Sequence, residues 1–82
     1  MKFISDLKLG DKVFVINKRN STFDIAEVIE ILNSVIRFQC YLNTDAFYLW
    51  RYQEYRHETN CSVIFTDETE AVEEFKQLSW QQ

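Results

Sequence analysis

The side chains best suited to catalysis or metal binding lie in one short segment, where His57 precedes Cys61 by four positions. A His-x3-Cys pair can supply two zinc ligands, but a structural zinc site needs four, and Cys40 is the only further soft ligand in the sequence. The same pair makes an incomplete nucleophilic site, because no glycine-rich turn at a helix start is present to bind an oxyanion. We therefore predict no catalytic residue, no metal site and no cofactor, and we expect the protein not to be an enzyme.

The segment from residue 46 to residue 55 is more informative, because it is rich in aromatic side chains. Alternation places Phe47 and Leu49 on one face of a strand. The same alternation places Tyr48, Trp50 and Tyr52 on the other face. If Phe47 and Leu49 point to the core, these three side chains form an outward aromatic row. The row predicts a binding surface, for which the candidate partner-binding residues are Tyr48, Trp50, Arg51, Tyr52, Tyr55 and Arg56.

Three interpretations of this aromatic row are open. A C-terminal helix can cover it with Phe75, Leu78 and Trp80, in which case the row belongs to the core. A partner protein, including a second copy of the chain, can bind it, since Trp, Tyr and Arg dominate the binding energy of protein interfaces. The bases of a single-stranded nucleic acid can stack on it, with Arg51 and Arg56 on the phosphates.

The C-terminal segment predicts a helix over about residues 68–79. Asp67 and Glu70 have the spacing of a capping box, which is typical of a helix start. Apolar side chains recur on one helical face, at Ala71, Val72, Phe75 and Leu78. The opposite face is acidic and is either solvated or a negative patch for a basic partner. The residues of this acidic face are Glu70, Glu73 and Glu74.

The elements that must position these residues are short strands. Their predicted bounds are residues 12–16, 23–32, 35–42, 46–55 and 61–65, within one domain that spans residues 1–82. The third has the clearest period of two, with Ile36, Phe38, Cys40 and Leu42 on one face, so Cys40 should be an inert buried thiol. In the second, the apolar face changes between Ile25 and Val28, which predicts a bulge or a coiled strand.

The phrase Leu7-Lys-Leu-Gly-Asp-Lys-Val-Phe-Val15, followed by Ala26-Glu-Val-Ile-Glu-Ile31, resembles the first two strands of SH3-like small barrels. The resemblance covers about the first third of the chain and implies a fold type without an activity. Short strands joined by local turns also have to protect their edges, which a small barrel or a bent sheet achieves. We predict a mainly β fold: a five-stranded antiparallel SH3-like sheet or partial barrel with one C-terminal amphipathic helix.

Composition and charge restrict the function. The formal net charge of −4 is opposite to that of a typical duplex-DNA binder. No secretory signal or membrane-spanning run is visible, and two cysteines without an export signal are typical of reduced thiols in the cytoplasm. We predict a small, acidic interaction module that binds another protein or its own copy, such as an accessory protein of a bacterium or mobile element. The alternative is single-stranded nucleic-acid binding through the aromatic and basic strand.

Overall fold

The computed structural model describes residues 2–80, with side chains as far as residue 78. The predicted fold class is confirmed: an antiparallel sheet curls into a half-barrel and is followed by one C-terminal helix. The sheet has six strands rather than five. The elements are a short 3-10 helix at Ile4–Asp6, then β1 Lys12–Asn17, β2 Thr22–Ile31, β3 Val35–Cys40, β4 Ala46–Trp50, β5 Arg56–Glu58, β6 Ser62–Phe65 and α1 Glu68–Trp80.

The strand order is β4-β3-β2-β1-β6-β5. The first four strands form a meander, and β6 returns to pair with the free side of β1. The sixth strand arises because the predicted strand 46–55 ends at Trp50. Beyond that point the main chain bonds with the N-terminal segment: the Ile4 N–H donates to the Glu54 carbonyl and the Ser5 N–H to the Tyr52 carbonyl, both at 2.9 Å. The chain then re-enters the sheet as β5, which pairs with β6.

The change of apolar face in β2 has a different cause from the one predicted. Ile25 and Val28 obey regular alternation, but they belong to two different hydrophobic clusters, one on each face of the sheet. The register shift of β2 against β3 comes later, between Val28 and Glu30. The strand is therefore apolar on both faces because both faces are covered where β2 lies beside β1.

The inner cluster, which includes Val13, Val28, Ile36 and Phe38, fills the concave side of the half-barrel. Phe38 is its largest fully buried side chain. The outer cluster, which includes Phe14, Ile16, Val63 and Phe65, lies between the sheet and α1. The helix packs on β1 and β6. Phe75 of the helix meets Phe23 edge-on, with ring centroids 5.6 Å apart. The helix begins as predicted, because the Glu70 N–H donates to the Asp67 carboxylate at 3.1 Å. The helix thus covers the β1–β6 part of the convex face.

Candidate protein-binding face

The convex side of β4 is bare. Tyr48 and Trp50 remain 57% and 60% exposed, whereas Phe47 and Leu49 are half-buried against the inner cluster. This alternation is the one predicted from the sequence. Of the helix residues proposed to cover the aromatic row, Phe75 and Leu78 pack on the outer cluster, and the side chain of Trp80 lies outside the described residues. The aromatic pair on β4 is therefore left uncovered by the described side chains of α1.

Tyr52 does not belong to this surface, which corrects the predicted row. The strand has ended, and the Tyr52 N–H donates to the Trp50 carbonyl at 2.8 Å in a tight turn. The turn brings the Tyr52 ring over the His57 ring, with centroids 4.3 Å apart and an interplanar angle of 15°, and against the inner cluster. Tyr55 stacks on Phe3 with centroids 4.6 Å apart, so it belongs to another part of the molecule.

Both predicted arginines, Arg51 and Arg56, are engaged with residues other than Tyr48 and Trp50. Arg51 donates from Nη2 to the Ser5 carbonyl at 2.9 Å and from Nη1 to the Asn33 carbonyl at 3.4 Å, so it ties together two distant segments. Arg56 pairs with Glu58 at 3.0 Å, and its guanidinium lies over the Phe65 ring, 5.2 Å from the centroid. Both side chains have structural partners that sequence periodicity cannot reveal.

The cation that does adjoin the exposed aromatics is Arg37, which sequence reasoning missed. It lies opposite Tyr48 in the β3–β4 register, and its guanidinium carbon is 5.6 Å from the centre of the Tyr48 ring. Within residues 2–80 it forms no ion pair, and its buried Nε has no hydrogen-bond partner. The available signal was its position on the polar face of β3. Arg37, Tyr48 and Trp50 together form the β4 face.

Tyr41 extends the polar side of the sheet but is separately engaged. Its hydroxyl donates to the carboxylate of Glu27, and the Lys12 ammonium lies 6.0 Å from its ring centre. This hydrogen bond is the main reason that the pKa of Tyr41 is raised above its ordinary value. Tyr41 therefore stays protonated near neutral pH, and its exposed ring lies beside Glu27 and Lys12.

The residues first considered for chemistry do not form a reactive group. Among residues 2–80, no three His, Cys, Asp or Glu side chains are placed to share a metal ion. His57 is held by Glu54 at 3.3 Å and by its stack on Tyr52. Both cysteines are free thiols. Burial, followed by the neighbouring Asp24 carboxylate, raises the pKa of Cys40 to about 11, so its nucleophilic thiolate is scarce at neutral pH.

The acidic face of α1 lies beside an arginine. Glu70, Glu73 and Glu74 line a shallow cavity of about 230 Å³ together with Arg56 and Phe65. The arginine that was expected to contact a nucleic acid therefore lies beside the carboxylates that were expected to meet a basic partner. The described part of this surface is a mixed-charge cleft, which makes it a weaker candidate than the β4 face.

Comparisons with known proteins add no functional assignment, since no family model, curated protein or solved structure matches this chain. Within the described residues, no helix has the length and apolar character needed to cross a bilayer.

Proposed function

We propose that this protein is a non-enzymatic binding module that recognises another polypeptide through the β4 face. The observation that carries the proposal is the exposure of Tyr48 and Trp50, side by side on one strand, where α1 leaves the sheet uncovered. Large aromatic side chains of this kind supply much of the binding energy in protein interfaces. Their exposure costs solubility and is difficult to explain by stability alone.

The limited flexibility of the two aromatic side chains also favours recognition. Tyr and Trp each have two side-chain torsions, so little conformational entropy is lost when they are fixed in a complex. Arg37 beside them adds a charge that can orient a partner, because its guanidinium lacks an ion-pair partner among residues 2–80. The combination of two aromatics and an arginine is the composition enriched at interface hot spots.

Single-stranded nucleic acid is the alternative ligand for exposed aromatics. Such binding depends on several cations along the backbone, and the β4 face has one arginine, since Arg51 and Arg56 are engaged elsewhere. The net charge of −4 opposes it further. These observations favour a polypeptide ligand.

The test is a random peptide display library panned on the immobilised full chain. Enriched peptides are then measured against Tyr48→Ala, Trp50→Ala and the control Leu42→Ala, which removes a more exposed apolar side chain that lies outside β4. We expect Trp50→Ala to weaken binding by at least about 30-fold, the effect of a hot spot of about 2 kcal/mol, and the control to bind normally.

Two results would refute the proposal. One is the recovery only of peptides that bind the native chain and Trp50→Ala equally well. The other is binding of oligo-dT that weakens steeply with salt and is lost in Trp50→Ala, since this would assign the same face to single-stranded nucleic acid.

A further inference from the structure

The outer edge of β4 has unpaired main-chain groups. Two hydrogen bonds at the ends of the β3–β4 ladder show which main-chain groups of β4 point toward β3. The Arg51 N–H donates to the Ser34 carbonyl at 3.0 Å, and the Cys40 N–H donates to the Asp45 carbonyl at 2.8 Å. Positions 45 and 51 therefore point toward β3, and so do the odd-numbered positions between them. The N–H groups of Ala46, Tyr48 and Trp50 point the other way, where no described strand lies.

This edge lacks the features that normally prevent strands from pairing. Its sequence, Ala46–Trp50, contains no charged residue and no proline. The opposite edge of the sheet, β5, has three residues, two of which, Arg56 and Glu58, are charged. The two edges of the sheet thus differ: β5 is short and charged, whereas β4 is longer, uncharged and able to accept another strand.

An apolar cavity lies beside the same edge. It measures about 250 Å³ and opens at the seam of the half-barrel, between β4 and β6. Its lining is mainly aliphatic and aromatic and includes two small hydroxyl residues. The lining residues are Val15, Phe47, Tyr48, Leu49, Thr59, Ser62 and Ile64. An extended chain paired with β4 would place alternate side chains over this cavity.

The intervening side chains of such a strand would lie on the convex side, next to the β4 face. The guanidinium of Arg37 lies over the Tyr48 ring on that side and has no ion-pair partner among the described residues. A carboxylate at these positions would complement it. The edge, the cavity and the arginine therefore specify three properties of one ligand: extended backbone, an aliphatic side chain on one face and an acidic side chain on the other.

We propose that β4 binds an extended segment of a partner protein by β-augmentation, with an aliphatic side chain in the seam cavity and an acidic side chain beside Arg37. This inference rests on the proposed function and specifies its ligand. The main-chain bonds supply affinity, and the cavity and Arg37 supply the sequence preference.

The first test applies to peptides selected by their dependence on Trp50. Ala46→Pro removes one outward N–H at the first position of the strand, where proline is tolerated, and Ala46→Ser is its matched control. We expect Ala46→Pro to weaken binding at least tenfold and Ala46→Ser to bind normally. Arg37→Gln should weaken peptides that contain acidic residues and leave their amide-substituted versions unchanged.

The second test uses the native chain, so it does not depend on how the proline variant folds. Amide hydrogen exchange by NMR should be fast at Ala46 and Tyr48 and slow at Phe47 and Leu49, and the bound peptide should protect the first pair. Binding that depends on Trp50 but leaves Ala46 and Tyr48 unprotected would overturn β-augmentation and leave the proposed function standing. The absence of Trp50-dependent peptides would overturn both. If sedimentation shows a dimer in which these amides are protected without peptide, the occupant is a second copy and the proposal of a partner segment is wrong.

Discussion

Truncation of Tyr52 should destabilise the protein far more than truncation of Tyr48, although the two residues look equivalent in the sequence. Removing a fully buried aromatic side chain costs about 3–5 kcal/mol. Tyr52 is half-buried against the inner cluster, so we expect about 2 kcal/mol for Tyr52→Ala. Loss of the stack on His57, at 4.3 Å, adds about 0.5–1 kcal/mol. Tyr48 is 57% exposed and its ring lies beneath the Arg37 guanidinium, so Tyr48→Ala should cost under about 1 kcal/mol.

The difference is large for a domain of this size. A stability of roughly 0.05–0.15 kcal/mol per residue means that the Tyr52→Ala variant loses a sizeable fraction of the total. Since about 1 kcal/mol moves the Tm of a small domain by roughly 4–8 °C, the Tyr52→Ala variant should melt roughly 10–20 °C lower.

Urea and thermal unfolding followed by far-UV circular dichroism would measure both variants, with an unchanged m value as the criterion for comparison. Tyr52→Phe keeps the ring and serves as the control, which should stay close to the native stability. Equal losses for Tyr48→Ala and Tyr52→Ala would refute our assignment of one residue to the core and the other to the β4 face.

Three further predictions concern other parts of the fold. Cys61 should react with a thiol reagent at pH 8 in the native state, whereas Cys40, whose pKa is raised to about 11, should react only on unfolding, as mass spectrometry of the labelled chain would show. Asp67→Ala should destabilise the chain by about 1 kcal/mol in urea, and Asp67→Asn much less, because an N-cap acceptor is retained. The hydrogen bond from Lys18 holds the pKa of Glu58 below its ordinary value. The stability that this pair contributes is therefore fully present above the ordinary pKa of Glu58 and is lost as the pH falls through the lowered pKa. Glu58→Gln should make the urea midpoint depend less on pH in the acid range.

Local pattern was enough to predict the elements whose faces are determined by alternation. Ile36, Phe38 and Cys40 are all buried, as the period of two in β3 indicates, and α1 begins at the predicted capping residue. Two predicted apolar positions were wrong: Leu42 lies beyond Cys40, where β3 ends, and is 79% exposed, and Val72 of α1 is also exposed. The outward direction of Tyr48 follows from the same periodicity. In each of these elements the deciding interaction is within a few positions or within one strand.

The wrong assignments share a different cause. Residues 51–55 have a composition typical of a strand, but their main chain bonds with Ile4 and Ser5, nearly fifty positions away. That long-range pairing ends β4, turns Tyr52 inward and gives Arg51 one of its two carbonyl acceptors, that of Ser5. A single sequence carries no local sign of such an interaction, so the extent of the aromatic surface could not be predicted.

The placement of α1 explains why one aromatic surface of the sheet is left uncovered. The outward side chains of β1 and its neighbours include Phe14, Ile16 and Phe23, which require cover, and the helix supplies it there. Tyr48 and Trp50 are also large and outward, but within residues 2–80 no further element packs over them. An edge strand under selection for solubility alone would carry charges at such positions, as β5 does. The retention of two aromatic side chains on the one unprotected edge of the sheet is therefore most simply explained by a partner strand that covers both the edge and the face.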